Sequence, residues 1–181
     1  LEGGWQPIFN EDGTLAIVFN GEIYNYIELR KDLESRGHRF YTNSDTEVII
    51  HAYETWGSEC PKKLNGQFAF GIYDMLEKSL FLCRDRFGVR PLYYAVNDGI
   101  FLFGSEVKSL LVSGLVAPRL RVEGLHEIHN FWGNIFPNTP FEQIFELPPS
   151  STMAVSRRGV SIKKYWELPD MGDPAHREAD Y

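Results

Sequence analysis

The links between the apolar, β-rich runs of this chain are too short for crossovers, which fixes the kind of sheet it can build. Residues 67–74 alternate Phe68, Phe70 and Ile72 toward one face, and only Met75-Leu76-Glu77-Lys78 separates them from the run 79–84. Residues 92–95 and 100–103 face each other across Asn97-Asp98-Gly99, and 151–155 and 161–166 across Arg157-Arg158-Gly159. Parallel neighbours need a dozen or more connecting residues, so these runs predict antiparallel hairpins. A further apolar run at 14–19 follows the turn Asn10-Glu11-Asp12-Gly13 and predicts a buried strand.

Helices interrupt this pattern. Tyr26, Leu29 and Leu33 share a face in 25–37, and Gly37 closes the segment. Residues 38–41 read as extended. Ser44-Asp45-Thr46-Glu47 matches a capping box, in which Ser44 and Glu47 would cap each other's backbone. The helix it opens carries Ile49, Ala52, Tyr53 and Trp56 on one face and stops at Gly57. A short helix is expected at 106–111 and another at 122–131. Antiparallel strands with inserted helices make the class α+β.

A chain of 181 residues suits one domain, and at that size it can bury roughly 70% of its unfolded surface without a metal or disulfide staple. The domain is expected over 1–168. The polar stretch 169–181 lacks apolar periodicity and reads as a linker toward a further domain. The chain opens on Leu1, so both ends are expected to continue in a longer protein. Eighteen Lys and Arg against 25 Asp and Glu give a net charge of −7, opposite to the basic footprint of a nucleic-acid binder. No apolar run is long enough to cross a membrane, and a cytoplasmic location is expected. Cys60 and Cys83 form no CxxC pair, and none of the five histidines stands at metal-ligand spacing, so no metal is expected. His126 and His129 read as a surface face.

Asn20-Gly21-Glu22 holds the most chemistry. Asn carries an amide N–H donor, and Gly lets a ligand approach its backbone N–H with no Cβ in the way. Those are the two donor types of an oxyanion hole, though an Asn-Gly pair also makes plain turns. A helix follows Glu22 where a hairpin would return a strand. An acidic segment, Ser44 to Glu47, lies downstream, and Arg84-Asp85-Arg86-Phe87-Gly88-Val89-Arg90 places charge within an apolar region.

Those three segments, in that order, resemble the class II glutamine amidotransferases, most closely the N-terminal domain of glutamine-hydrolysing asparagine synthetases. Asn20-Gly21-Glu22-Ile23-Tyr24-Asn25 carries most of the resemblance. Gln6-Pro7, Leu64-Asn65-Gly66-Gln67-Phe68, Ser105-Glu106-Val107-Lys108, Phe145-Glu146-Leu147-Pro148-Pro149 and Lys164-Tyr165-Trp166 extend it over about residues 5–168. The resemblance implies a four-layer αββα sandwich of antiparallel sheets, of the N-terminal-nucleophile type, here without its first strands. It implies hydrolysis of L-glutamine to glutamate and ammonia. It implies a C-terminal synthetase domain, outside this chain, that uses ATP and Mg to activate aspartate; this domain itself would need no cofactor. Asn20 and Gly21 match the oxyanion-hole pair, Glu22 a glutamine-contacting position, and Asp45 the carboxylate that takes the substrate α-ammonium. A carboxylate at a helix start can equally serve the helix dipole. Arg84, Asp85, Arg86 and Arg90 are expected to form a buried, ion-paired turn, or to face the synthetase domain.

The family's nucleophile is an N-terminal cysteine that uses its own amine as base. Cys60 and Cys83 match neither its position nor its surroundings, and the family's upstream arginine clamp for the glutamine carboxylate has no counterpart here. The chain alone is therefore expected to be inactive, with open sheet edges and exposed apolar surface that a homodimer could cover. Two other readings stay open: a non-catalytic amidotransferase-like binding or interface module, and the amidotransferase domain of a related amide- or β-lactam-forming synthetase.

Overall fold

The computed structural model describes residues 5–133 and 135–168; Leu1 and the tail 169–181 lie outside the described residues. In chain order the strands are β1 (Ile8–Phe9), β2 (Leu15–Ile23), β3 (Gly66–Asp74), β4 (Ser79–Arg84), β5 (Tyr93–Asn97), β6 (Ile100–Gly104), β7 (Ile144–Glu146), β8 (Ser151–Ser156) and β9 (Gly159–Lys164). The helices are α1 (Tyr26–Ser35), α2 (Asp45–Trp56), α3 (Val107–Val112) and α4 (Val122–Phe131), and a 3-10 segment, Gly57–Lys62, follows α2.

All pairings are antiparallel, as the short links require. Among the described residues one sheet has six strands in the order β1-β2-β3-β4-β8-β9, and the other has three, β6-β5-β7. Three apolar clusters show how the layers stack. Ile17, Ile23 and Phe70 of the large sheet pack on Leu29 and Leu33 of α1 and on Ile49 and Ala52 of α2. Ala69, Leu82 and Met153, facing the other way, pack on Leu92, Tyr94 and Leu147 at the small sheet. Ala95 and Ile144 on the far side of the small sheet meet Leu110 of α3. The order is helices, large sheet, small sheet, helix: the four-layer sandwich.

Six strands face three, so the inner face of the large sheet is only partly covered. Ala16, Val18 and Tyr73 line a cavity of about 550 Å³ with Phe101 and Phe103 of β6. Among the described residues β6 and β7 are the edges of the small sheet. None of the helices among the described residues is long and apolar enough to cross a membrane.

Local chemistry accounts for most boundaries and corrects some. Ser44 does cap α2, its hydroxyl accepting from Thr46 N–H at 3.2 Å. The box is not closed, because the buried Glu47 carboxylate accepts instead from the N–H groups of Tyr41 and Thr42, at 2.7 Å each. Tyr41 and Thr42 are accordingly held in a bend, and 38–40 belong to no strand. β2 runs on through Ile23, so Asn20-Gly21-Glu22 lie inside the strand and not after it. The three-residue β7 has no periodicity to announce it, while α4 covers the span expected, with His126 and His129 exposed.

Candidate active site

The far end of β2 has one edge paired with β3 and one edge open. β1 reaches only Ile17. Beyond it, the Gln6 side chain takes the place of a strand. Its amide nitrogen, Nε2, donates to Phe19 O at 2.9 Å, and its Oε1 accepts from Phe19 N–H at 2.6 Å. Two residues further along the chain from Gly21, Ile23 N–H donates to Asp45 Oδ2 at 2.9 Å. Donors alternate sides along a strand, so Phe19, Gly21 and Ile23 present their N–H groups to the same open edge. On the other side of the ladder, Phe68, the partner of Gly21, bonds away from β2: its carbonyl accepts from Asp85 N–H at 2.8 Å. The Gly21 N–H thus points outward between two donors already engaged by Gln6 and Asp45.

Only glycine can hold this position. Gly21 has φ +150°, and a Cβ there would run into the Gln67 carbonyl and come within 2.7 Å of Phe68 Cα. Gly66 is the reciprocal case across the ladder, where a Cβ would meet the Glu22 carbonyl. Both strands come this close only because both side chains are absent.

Side chains alternate too. Asn20 shares the inner face with Val18 and lines a cavity of about 220 Å³ bounded by Ala69, Leu92, Phe103 and Ser105. The Glu22 side chain is exposed, and Asp45 is partly buried at the first residue of α2. Asp45 therefore combines two of its expected settings: it sits in the first turn of a helix, where the dipole favours a carboxylate, and it docks against the end of β2. The structure brings Asn20, Gly21 and Asp45 to one edge. Glu22 lies beside them and makes no side-chain hydrogen bond among the described residues.

The loop after β4 steadies this edge from behind. The buried Asp85 carboxylate accepts from the N–H groups of Phe68 (3.2 Å), Phe87, Val89 and Arg90 (3.0 Å each). It does so without a cationic partner among the described residues, a correction to the ion-paired turn expected from sequence. Arg84 is the residue that pairs: its Nη2 lies 2.7 Å from Glu146 Oε1 and also donates to Gly88 O, while Nε and Nη1 donate to the carbonyls of Arg90 and Leu147. Arg86 donates to the carbonyls of Leu64 and Lys62. Asn25, just past β2, grips the same segment, donating to Lys63 O and accepting from Asn65 N–H. These side chains are committed to backbone groups, which is an architectural role.

Both cysteines are buried in the helix-side core. Burial pushes both thiols well above their usual range, Cys83 also through its neighbouring thiol Cys60 and the Asp85 carboxylate. A protonated, enclosed thiol is no nucleophile. The fold also gathers residues the sequence left scattered: Glu11, His38, His51 and Glu54 place ligand-type atoms within 4.8 Å of one another. Burial opposes a proton on His51, but the hydrogen bond it donates to Glu54 and the carboxylates of Glu11, Glu54 and Glu47 outweigh it and raise the pKa. His51 and Glu54, three apart on α2, were the one signal for this cluster visible in the sequence.

Residues 1–166 match the family model described as a glutamine amidotransferase domain. Among curated proteins, asparagine synthetase (glutamine-hydrolyzing) 3 of Bacillus subtilis (strain 168) is 40% identical over 171 residues, 93% of this chain and 28% of that protein. Asparagine synthetase (glutamine-hydrolyzing) 3 of Arabidopsis thaliana is 48% identical over 108 residues, 59% of this chain and 18% of the relative. The chain thus spans well under a third of the length of these relatives. Among solved structures, the glutamine phosphoribosylpyrophosphate amidotransferase of B. subtilis superposes with a TM-score of 0.65 at 21% identity, over 90% of this chain and 32% of the other. At that identity the likeness is one of fold.

Proposed function

This chain belongs to the family of glutamine amidotransferase domains, and from that premise we propose that it forms the L-glutamine pocket of an ammonia-supplying glutaminase, within a protein that makes asparagine from aspartate. The observation that carries the reading is the outward Gly21 N–H, held between the Gln6 and Asp45 contacts on a strand only glycine can occupy. A preorganised N–H of this kind stabilises the oxyanion that forms when a thiolate attacks an amide carbonyl. The Asn20 amide, on the adjoining inner face, is the second donor. Asp45 offers a carboxylate to the substrate α-ammonium, a charge-assisted contact, and already receives Ile23 N–H through Oδ2. Glu22 contributes an exposed wall.

The attacking group is not among these residues. The reading assigns it to a cysteine at the mature N-terminus of the complete protein, and it assigns ATP and Mg²⁺ to a synthetase domain that receives the ammonia. The sequence contains no Gly-rich phosphate loop of the kind that would hold a nucleotide in this domain. The similarity to asparagine synthetases over 93% of the chain supports aspartate as the acceptor.

The test is two-sided. Titrating the 181-residue chain with L-glutamine should shift the backbone amide resonances of Gly21, Ile23 and Asp45, and D-glutamine should not. In the complete protein, Asn20→Ala should lower glutaminase kcat by about 10²-fold, and Asp45→Asn should chiefly raise KM for glutamine. Wild-type glutaminase activity in the Asn20→Ala and Asp45→Asn proteins would overturn the assignment.

A further inference from the structure

We propose that Glu11, His38, His51 and Glu54 form a binding site for one divalent transition cation of the zinc class, separate from the glutamine pocket. The four residues come from three segments: Glu11 from the turn between β1 and β2, His38 from the loop after α1, and His51 and Glu54 from α2. His51 is wholly buried, and the other three side chains are 19–27% exposed, leaving an entry path.

The distances fit a tetrahedral shell. His51 Nδ1 lies 2.8 Å from Glu54 Oε2 and 3.5 Å from Glu11 Oε2. His38 Nδ1 lies 3.5 Å from Glu11 Oε1 and 3.5 Å from Glu54 Oε2. With metal–ligand bonds of about 2.0–2.1 Å, a tetrahedron sets neighbouring ligand atoms about 3.3 Å apart. The observed spacings lie on both sides of that value, so small side-chain rotations close the shell.

Hydrogen bonding fixes which nitrogen His38 presents. The Thr55 hydroxyl donates to His51 O at 3.0 Å, so it can only accept from His38 Nε2–H at 2.9 Å. The remaining nitrogen of a neutral His38, Nδ1, then carries a lone pair, and that lone pair faces two carboxylates. A lone pair against carboxylates is repulsive unless a metal cation or a proton lies between them. His51 presents the matching case. Its Nε2 is buried without a hydrogen-bond partner, and the nearest acceptor is Glu47 Oε1 at 3.7 Å. A proton on Nε2 aimed at Glu47 leaves Nδ1 as the ligating atom, the arrangement in which a second-shell carboxylate orients a metal-bound histidine. Glu54 is oriented as well, since its Oε1 accepts from Asn10 Nδ2 at 2.8 Å and leaves Oε2 for the cation. Arg39 N–H steadies Glu11 through Oε1.

Charge balance points the same way. Glu11, Glu47 and Glu54 surround two imidazoles, and among the described residues none of the three carboxylates pairs with Lys or Arg. Two imidazole nitrogens with two carboxylate oxygens suit zinc and its neighbours over magnesium or calcium. A cation here would tie the β1–β2 turn and the loop after α1 to α2, the helix whose first residue is Asp45.

The 181-residue chain, stripped with chelator, is titrated with Zn²⁺ by calorimetry and with Co²⁺ by visible absorption. We expect one equivalent of Zn²⁺ per chain, the intense visible bands of tetrahedral Co²⁺, and a thermal midpoint several degrees higher with metal. His38→Gln and Glu11→Gln should each weaken Zn²⁺ binding at least tenfold, with far-UV circular dichroism confirming the fold. The double variant His126→Gln/His129→Gln, on the exposed face of α4, should bind as wild type. Absence of stoichiometric Zn²⁺ binding by the wild-type chain, which no variant is needed to measure, overturns the proposal and leaves a histidinium–carboxylate network. Binding lost in the α4 double variant but kept in His38→Gln overturns it equally.

Discussion

On one side of β3, the buried Asp85 carboxylate accepts from four backbone N–H groups, and Arg84 spends its whole guanidinium on three carbonyls and Glu146. On the other side, β2 carries Asn20-Gly21-Glu22 in the last rungs of its ladder before Ile23, where the Gly21 N–H faces outward and the Asn20 amide lines a cavity. Both regions are rich in polar groups beside the same strand. In the first, polarity is consumed in building the loop 85–90. In the second, polarity is held in place by neighbours but left facing a space. Charge density alone is therefore a poor guide to a ligand site: the more conspicuous charges are architecture, and the quieter Asn-Gly pair is the site we propose.

The comparison is broken most severely at Asp85. Replacing it by Ala leaves four donors without an acceptor in a buried setting, each hydrogen bond to a charged group being worth about 1.5–3 kcal/mol. After relaxation and water entry, Asp85→Ala should lose about 4 kcal/mol or more and lower the thermal midpoint by roughly 10 °C. Denaturation of the variant checks this; a loss under about 1 kcal/mol would mean that the loop does not depend on the carboxylate.

Gly21→Ala comes next. The new methyl would meet the Gln67 carbonyl, a backbone group that cannot swing aside. Overpacking of this kind costs typically about 1–3 kcal/mol, and here the strand ladder must shift to absorb it. The expected outcome is a loss of about 2–3 kcal/mol together with loss of glutamine-induced amide shifts. Retained stability with retained shifts would show that the strand tolerates separation and that the close approach has no functional purpose.

The closed region also has a pH signature. Cys83, in β4 immediately before Arg84 and Asp85, is fully buried, and its thiol is pushed up mainly by that burial. The folded chain therefore keeps a proton that the unfolded chain gives up above about pH 8.5, the usual range of a free thiol. Because the folded state binds more protons there, stability falls as pH rises. Each such thiol should remove about 1.4 kcal/mol by pH 9.5, where tyrosines with ordinary values near 10 are still mostly protonated. Urea unfolding between pH 8 and pH 9.5 measures the slope, and Cys83→Ala should make it shallower by one thiol's share.

The two regions also differ in how far the sequence announces them. Hairpins, helices and the antiparallel rule are local, so residues 66–84, 93–104 and 122–131 were legible from spacing and turn residues. The Asn20-Gly21 pair was legible as donor chemistry, but its placement inside β2 was not, because the contacts that define it come from Gln6 and Asp45, 13 and 22 residues away from the groups they hold. The same limit hid the role of Glu47. A capping box is a local pattern, and Tyr41 and Thr42 outbid Ser44 for the carboxylate only once the loop folds back. The Glu11–His38–His51–Glu54 cluster is further still from sequence logic, since it joins three segments that only the packing of α2 on β1 and β2 brings together.

The smallest expected change in stability is at the open edge, and it sharpens the comparison most. Asp45→Asn keeps an oxygen that can accept Ile23 N–H and keeps the volume of the side chain. It removes one charge from the first turn of α2, worth about 0.3–1 kcal/mol at a partly exposed helix start. Ser44 still caps the helix through Thr46 N–H. The fold should therefore lose less than about 1 kcal/mol, against about 4 kcal/mol or more for Asp85→Ala, although both substitutions remove a carboxylate that accepts from the backbone. Binding should divide the two the other way. Asp45→Asn removes the charge that an α-ammonium group would meet and should abolish the response to L-glutamine in a chain that remains folded. A variant as stable as wild type that still responds to L-glutamine would place Asp45 with Asp85, as a residue that builds the edge and takes no part in reading the substrate.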